Sequence, residues 1–125
     1  MIRGIGVDMC EIERLQDKGP ESSFVKRFFT PEEQAYLQSR GAAYARSLAG
    51  LYAAKEAYAK ALGCGIRGFA LQEVEILHTP EGQPYYRPQG QALARQLERG
   101  IEEVLLSISH EAGLALAFAL ARGGE

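Results

Sequence analysis

Three charged residues in this chain have the types and the spacing needed for chemistry on a phosphate group. Asp8 ends a short apolar strand, and Glu56 and Lys60 lie at positions i and i+4 of an alanine-rich segment. This spacing puts Glu56 and Lys60 on one face of a helix. Mg²⁺ takes one or two carboxylates and completes its shell with water and phosphate oxygens, while lysine neutralises phosphate charge. The three side chains therefore suit phosphoryl or phosphodiester chemistry, provided that the fold brings them together.

These residues and their neighbours also have ordinary structural explanations. An exposed Glu56–Lys60 pair would only stabilise its helix, by about 0.3–0.5 kcal/mol. Charges in a largely buried helix need partners, however, because an unpaired buried charge is costly. Gly63 and Gly65 follow the helix, where glycines either end it or let the phosphates of a ligand approach the backbone. A lone histidine at a turn, such as His110, is more often structural than functional.

The composition argues against several classes of protein. The chain has 125 residues and a net charge of −2, so we expect one domain over residues 1–125 and no nucleic-acid binding. No apolar run approaches the length of a membrane span, and the N-terminus lacks the apolar core of a signal peptide. Cys10 and Cys64 are far apart and are not in a metal-binding spacing. We therefore expect a cytoplasmic protein with two reduced cysteines and no contact with a membrane.

Local patterns predict the elements that must position these residues. Residues 2–9 alternate between apolar side chains on one face and glycines with Asp8 on the other, which predicts a strand whose glycine face can be closely approached. Thr30 and Glu33 form a capping box that starts a helix ending near Ser39. Apolar residues around much of the circumference predict a long, largely buried helix over residues 43–62. We also predict helices over 11–17, 21–28 and 88–99, strands over 72–78, 103–109 and 114–121, and a return strand from Tyr85.

Two details concern the C-terminal half, and the order of the elements gives the fold class. The helix over 88–99 is amphipathic, with Leu93 and Leu97 as its apolar residues. The last two strands join at residues 110–113, so His110 is expected to open the final turn. The order strand, helices, hairpin, helix, hairpin predicts an α+β fold with a largely antiparallel sheet packed against one long central helix.

The same motifs resemble those of a known family. The chain closely resembles the small, bacterial-type holo-[acyl-carrier-protein] synthases, which are 4′-phosphopantetheinyltransferases. The similarity extends over nearly the whole length. It is concentrated in residues 4–8, 11–14, 29–33 and 48–61 and continues in residues 63–66, 74–76, 82–85 and 107–110. Asp8 in its strand, followed by Lys55, Glu56 and Lys60 in the long helix, makes the resemblance specific at this chain length.

The resemblance implies a 4′-phosphopantetheinyltransferase-like fold and an enzyme of fatty-acid biosynthesis. Such an enzyme transfers the 4′-phosphopantetheine arm of coenzyme A to a serine of apo acyl carrier protein and releases adenosine 3′,5′-bisphosphate. The resemblance further implies Mg²⁺ as cofactor, coenzyme A as co-substrate and apo acyl carrier protein as partner. Family members of this short type form homotrimers whose active sites lie between neighbouring subunits.

The resemblance also implies roles for individual residues. Asp8 and Glu56 match the metal ligands, and Lys60 matches a lysine that contacts phosphate and stabilises charge in the transition state. For the group that deprotonates the serine, we favour Glu56 acting through a bound water molecule over Lys60. Glu56 and Lys60 are thus the expected catalytic residues.

Further roles concern the coenzyme and the carrier protein. Four residues are expected to contact the coenzyme, namely Lys60, Gly63, Gly65 and His110. Three basic residues are expected to dock the acidic carrier protein: Arg14 matches a family arginine, and charge and position add Lys26 and Arg27.

Four positions depart from the family pattern: Leu51, Cys64, Gln83 and Glu111. The pattern has an arginine, a threonine, a basic residue and a small hydroxyl residue there, in that order. These departures bear on coenzyme affinity more than on the reaction, because none of them removes a metal ligand.

Two alternative functions stay open. One is a Mg²⁺-dependent pyrophosphohydrolase that uses the same carboxylates with water as nucleophile, and the other is a non-catalytic module that binds an acidic protein.

Overall fold

The structure is a computed structural model that describes residues 1–63 and 68–124. The strands are β1 (Ile2–Glu11), β2 (Val74–His78), β3 (Pro84–Pro88), β4 (Glu103–Glu111) and β5 (Leu114–Arg122). The helices are α1 (Ser23–Phe28), α2 (Pro31–Gln38), α3 (Tyr44–Leu62) and α4 (Gly90–Glu98), with short 3-10 turns at Ile12–Leu15, Gly41–Ala43 and Leu71–Glu73. None of the helices within these residues is both long and apolar enough to cross a membrane.

The strands form two antiparallel sheets. In the first sheet β5 lies between β1 and β4, and in the second β2 pairs only with β3 among the described strands. The long helix α3 packs along β1 and β5 and also meets α2 and β2. The predicted α+β class, with antiparallel strands against one long helix, is therefore confirmed. The strands are divided between two sheets instead of forming a single one.

Small residues let α3 lie directly on the three-stranded sheet. The inward-facing positions of β5 are fully buried alanines, namely Ala115, Ala117, Ala119 and Ala121. On β1, Gly6 is buried, and a Cβ atom at this position would lie 2.7 Å from the amide nitrogen of Ala61. The predicted close approach to the glycine face of β1 is confirmed, and the element that approaches is α3.

Local signals set the start of α2 and the end of α3. The Thr30 hydroxyl accepts a hydrogen bond from the Glu33 amide, and the Glu33 carboxylate accepts one from the Thr30 amide. This is the capping box that the sequence predicts. Gly63 ends α3 with a φ of 78°, in the left-handed region that glycine adopts without strain. The end at Gly63 places Lys60 in the last turn of α3.

A buried ion pair joins α2 to α3. The Lys55 ammonium lies 2.9 Å from the Glu33 carboxylate, and both side chains are 0% exposed. Lys55 also donates to the carbonyl oxygens of Leu71 and Val74, and Glu33 accepts from the amide of Ile76. Burial raises the pKa of Glu33 and lowers the pKa of Lys55, and the charge of each partner opposes the shift of the other. Lys55 is thus a structural residue that fixes α3 to α2 and to the start of β2.

Two predicted boundaries are wrong. His110 does not open a turn but belongs to β4, where it pairs with Ala115 of β5. The strands stay paired up to a two-residue turn, Ala112–Gly113, in which both residues have positive φ. Such turns match the twist of the flanking strands, so the ladder extends further than the apolar pattern. The helix expected over residues 11–17 is only the 3-10 turn Ile12–Leu15.

The inward face of α4 also differs from the one that its leucines suggest. Leu93 and Leu97 are exposed, by 37% and 59%, whereas Ala92 and Gln96 are buried. Gln96 faces the interior because its Oε1 accepts a hydrogen bond from the Tyr58 hydroxyl at 2.7 Å. The hydrogen bond between Tyr58 and Gln96 therefore determines which face of α4 is turned inward.

Candidate active site

Asp8, Glu56 and Lys60 come together where β1 crosses the C-terminal half of α3. The Lys60 ammonium lies 3.0 Å from Asp8 Oδ1 and donates to the carbonyl oxygen of Val7, also at 3.0 Å. Glu56, one turn earlier on α3, is close enough for the charges of Asp8 and Lys60 to act on it. The Lys60 ammonium on α3 pairs with the Asp8 carboxylate on β1. The contact therefore joins two elements and is not an exposed ion pair within one helix.

The two carboxylates of this site repel each other. Burial raises the pKa of Glu56, and the negative charge of Asp8 raises it further, while the Tyr52 hydroxyl and the charge of Lys60 lower it. Within the part of the chain that the structure describes, no group of three or more histidines, cysteines and carboxylates could hold a metal ion. The site therefore offers a pair of carboxylates, which is the number that Mg²⁺ uses when substrate phosphates complete its shell.

Tyr52 belongs to this site, although the sequence analysis did not single it out. Tyr52 is one helical turn before Glu56 on α3. Tyr52 and Glu56 line a cleft of about 260 Å³ together with Arg27 and Phe28. The Tyr52 ring lies 5.3 Å from the ring of Phe24, measured between centroids. The i, i+4 spacing of Tyr52 and Glu56 was the signal available in the sequence.

A second cleft, of about 240 Å³, lies near the other end of α3 and carries positive charge. Its lining includes Arg40, Arg46, His78 and His110. His110 Nε2 is 3.0 Å from the carbonyl oxygen of Arg46, and the His110 ring packs against Gly50. Burial lowers the pKa of His110 and that of His78. Two arginines in one cleft suit an anionic ligand, and the sequence offered no signal for them beyond two basic residues around the start of the long helix.

The structure does not bring His110 to the carboxylates within one chain. His110 packs against Gly50, whereas Asp8 pairs with Lys60, nearly three turns later on α3. At 1.5 Å per residue, Gly50 is about 15 Å from Lys60 along the helix and about 9 Å from Glu56. The predicted site residues thus form two groups, one beside the N-terminal half of α3 and one beside its last turns.

Among the predicted glycines and the departures from the family pattern, Gly63 and Leu51 lie beside these two groups. Gly63 ends α3 just after Lys60. Gly65 and Cys64 fall outside the described residues. Leu51, where the family pattern has an arginine, is buried and lines the second cleft.

The residues expected to dock a carrier protein lie on the surface near the first cleft. Arg14, Lys26 and Arg27 are all exposed. Lys26 forms an ion pair with Glu21 at 3.0 Å, and the Arg27 guanidinium lies 5.3 Å from the centroid of the Phe28 ring. Arg27 also lines the cleft that contains Glu56, so the docking residues adjoin the carboxylate site.

Comparison with known proteins identifies the family in sequence. Residues 4–119 match the family described as the 4′-phosphopantetheinyl transferase superfamily. The holo-[acyl-carrier-protein] synthase of Caldanaerobacter subterraneus subsp. tengcongensis is 41% identical over 124 residues, which cover 97% of this chain and 95% of that protein.

Solved structures of similar proteins share the fold. The holo-[acyl-carrier-protein] synthase of Neisseria meningitidis is 39% identical with a TM-score of 0.85, and the match covers 98% of this chain and 99% of that one. The Helicobacter pylori enzyme of the same name, in complex with coenzyme A, is 28% identical with a TM-score of 0.78 over 94% of this chain and 99% of that one. This chain belongs to the 4′-phosphopantetheinyl transferase superfamily, with holo-[acyl-carrier-protein] synthases among its relatives.

Proposed function

We propose that this protein transfers the 4′-phosphopantetheine arm of coenzyme A to a serine of apo acyl carrier protein, in fatty-acid biosynthesis. The observation that carries the proposal is the meeting of Asp8, Glu56 and Lys60 in a member of this superfamily. The products are holo acyl carrier protein and adenosine 3′,5′-bisphosphate. In this proposal residues 1–125 act as one domain, and a cytoplasmic location stays a prediction from the sequence.

Asp8 and Glu56 are the residues that would hold Mg²⁺. Both supply the hard oxygen donors that this ion prefers. Burial and the charge of Asp8 raise the pKa of Glu56, and a divalent cation bound to both carboxylates would offset the repulsion between them. When bound, Mg²⁺ would polarise the phosphorus that the serine attacks.

Glu56 and Lys60 account for the proton and the developing charge. The serine oxygen forms a bond to the phosphorus next to the pantetheine, and the bond from this phosphorus to the bridging oxygen breaks. That oxygen leaves with adenosine 3′,5′-bisphosphate. The serine proton passes through a bound water molecule to Glu56. The Lys60 ammonium, fixed by Asp8, stabilises negative charge on the phosphate oxygens.

The second cleft is the proposed site for the phosphorylated adenosine end of coenzyme A. Arg40 and Arg46 supply positive charge there, and His110 supplies a ring nitrogen. These arginines offset the absence of the family arginine at Leu51. The Helicobacter pylori relative, solved in complex with coenzyme A, supports a coenzyme site in this fold.

A homotrimer would bring the two groups of site residues together. Within one chain the two groups are about 9 to 15 Å apart along α3, and a neighbouring subunit could bring its own cleft beside the carboxylates. The outer face of the three-stranded sheet supports such association because it exposes large apolar side chains, namely Ile5, Val7, Met9, Leu105 and Phe118. Val7 and Phe118 are directly paired across the sheet, so the exposed apolar surface is continuous. A large exposed apolar patch typically marks an interface.

The acidic carrier protein is proposed to dock on Arg14, Lys26 and Arg27. All three are exposed, and Arg27 lies at the edge of the cleft that contains Glu56. A carrier bound there could present its serine to the carboxylate site. Opposite charges on the two proteins would mainly accelerate and orient their encounter.

The decisive experiment is an intact-mass assay of apo acyl carrier protein incubated with this protein, coenzyme A and Mg²⁺. We expect the carrier to gain the mass of one phosphopantetheine group, and we expect EDTA or the substitution Asp8→Asn to abolish the gain. Asp17→Asn is the matched control, because Asp17 is exposed outside the site. Cleavage of coenzyme A without modification of the carrier would instead identify a pyrophosphohydrolase, and the absence of both reactions would contradict the proposal.

A further inference from the structure

The ring of His110, on β4, lies directly against the backbone of α3 at Gly50. A Cβ atom at Gly50 would lie 3.1 Å from His110 Nε2 and 3.2 Å from Cγ2 of Ile108, which is tighter than most Cβ contacts. The backbone of His110 is fixed as well, because it pairs with Ala115 in the ladder between β4 and β5. Gly50 therefore leaves the space that this ring occupies.

The contact with α3 decides which nitrogen of the ring carries the proton. His110 Nε2 lies 3.0 Å from the carbonyl oxygen of Arg46, four residues before Gly50. A carbonyl oxygen only accepts hydrogen bonds, and it has a second lone pair besides the one used within a helix, so Nε2 is the donor. Burial lowers the pKa of His110, so the ring is neutral at neutral pH. A neutral ring with its proton on Nε2 has an unprotonated Nδ1.

The other nitrogen of the ring is left for the second cleft. The His110 ring lines this cleft together with Arg40 and Arg46. Among the hydrogen bonds of the described residues, His110 uses only Nε2 of its ring. The described lining residues include no carboxylate, so the charge of the cleft comes from its basic side chains. Nδ1 is thus the ring nitrogen that an anionic ligand in the cleft can use.

We propose that Gly50 is a positioning residue: it lets the His110 ring reach the Arg46 carbonyl, which holds the proton on Nε2 and leaves Nδ1 to contact a phosphate-bearing ligand in the second cleft. This inference rests on the proposed function, because it assumes that the cleft binds the phosphorylated adenosine end of coenzyme A. The neutral Nδ1 accepts a hydrogen bond from the ligand, and it becomes a donor to phosphate when the bound anion favours protonation of the ring.

Two substitutions separate positioning from simple packing. Gly50→Ala adds the Cβ atom that would push the ring away from the Arg46 carbonyl. His110→Gln keeps an N–H donor near the position of Nε2 and removes Nδ1. Gly19→Ala is the matched control for a glycine substitution, because a Cβ atom there meets nothing within 4 Å.

The experiment is a titration of adenosine 3′,5′-bisphosphate into each variant, measured by calorimetry and by nitrogen NMR of the histidine side chains. His110→Gln also assigns the resonances, because the chain has only 2 histidines. In the unmodified protein we expect the proton of His110 on Nε2 and a shift of the Nδ1 resonance on binding. Gly50→Ala should show both tautomers and bind about tenfold more weakly, as for the loss of one hydrogen bond to a charged group.

The other two variants have their own expected results. His110→Gln should weaken binding by a similar factor, with an unchanged melting temperature because the donor to the Arg46 carbonyl is kept. Gly19→Ala should bind adenosine 3′,5′-bisphosphate like the unmodified protein and keep the proton of His110 on Nε2.

Several results would overturn the inference, each in a recognisable way. A proton on Nδ1 of His110 in the unmodified protein contradicts the hydrogen bond to the Arg46 carbonyl. If Gly50→Ala keeps both the tautomer and the affinity, or loses affinity with an unchanged tautomer, Gly50 does not act by positioning the ring. If the unmodified protein does not bind adenosine 3′,5′-bisphosphate, the coenzyme cleft of the proposed function is wrong, and the role of Gly50 falls with it.

Discussion

At the scale of single residues, the Asp8 carboxylate is held by the Lys60 ammonium while both groups stay accessible. The Asp8 side chain is 21% exposed and that of Lys60 53%. An exposed ion pair contributes little to stability, so stability alone does not explain why this pair exists. An accessible cation in a fixed position does suit an incoming phosphate.

Lys60→Met tests the role of this cation. We expect kcat to fall by about 100-fold, as when one preorganised group that stabilises transition-state charge is removed, while the KM for the carrier stays unchanged. The measurement is a steady-state assay of carrier modification. Lys26→Met is the matched control, because Lys26 also pairs with a carboxylate at 3.0 Å but lies in the docking patch. It should raise the KM for the carrier and leave kcat nearly intact, and equal effects of the two substitutions on kcat would count against a special role for Lys60.

At the scale of elements, the contact between β1 and α3 sets the geometry of the carboxylate site. Asp8 comes from the strand, and Glu56 and Lys60 come from the helix, so their distances depend on how closely the two elements approach. Gly6 permits this approach, because a side chain there would collide with the backbone of α3 at Ala57 and Ala61. Gly6 has no functional group, but its close packing against α3 therefore controls the distances within the carboxylate site.

Gly6→Ala should separate β1 from α3. We expect the free energy of unfolding to fall by about 3 kcal/mol, because backbone atoms cannot move aside as a flexible side chain would. Transfer activity should fall as well, since Asp8 moves away from Lys60. Urea unfolding and the carrier-modification assay measure the two effects. Gly19→Ala is the control, since a Cβ at Gly19 meets nothing within 4 Å and should change neither quantity.

Lys55→Met tests the buried ion pair between α2 and α3. Removing Lys55 leaves the Glu33 carboxylate buried without its counter-charge, and such losses cost about 3–5 kcal/mol. The double variant Lys55→Met, Glu33→Gln removes both charges and keeps an oxygen that can accept from the backbone, so it should be more stable than the single variant. Urea unfolding at a fixed protein concentration measures both. A double variant less stable than Lys55→Met would show that the charge of Lys55 is not the partner that Glu33 needs.

At the scale of the whole molecule, two features favour association of subunits: the outer face of the three-stranded sheet and the separation of the two groups of site residues. The sheet exposes large apolar side chains to water, which is unfavourable. Within one chain, the carboxylate site and the cleft with His110 are also separate. Association of subunits would relieve both features. Stability and activity are therefore expected to depend on the same interface.

Phe118→Glu should prevent assembly. Phe118 is 40% exposed at the centre of the outer sheet face, and a carboxylate there would have to be buried between subunits. In light scattering coupled to gel filtration, we expect a trimer mass for the unmodified protein, a monomer mass for the variant, and a loss of transfer activity with the loss of the trimer. Leu97→Glu, an equally drastic change at an exposed leucine of α4, should remain trimeric and active. A fully active monomer would refute the interfacial active site.

The local features of this protein, and the kind of chemistry it offers, can be predicted from short stretches of its sequence. The capping box at Thr30, the end of α3 at Gly63 and the alternation of β1 all follow from interactions within a few residues, and the structure confirms them. Asp8, Glu56 and Lys60 favoured the hypothesis of a metal ion and phosphates, because carboxylates bind Mg²⁺ and lysine neutralises phosphate charge. The family was also evident from the order and spacing of these residues, and the comparisons confirm it.

Which side chains contact each other across the molecule is visible only in the tertiary structure. Nothing local to Lys60 shows that it pairs with Asp8, or that Lys55 turns inward to Glu33. The alternation of β1 has two faces, and the fold buries the glycine face because only small residues let α3 approach. The packing of Tyr52 likewise depends on aromatic rings from α1, and the length of β4 depends on its pairing with β5. Contacts between residues distant in sequence depend on packing across the whole molecule, which no short stretch of sequence encodes.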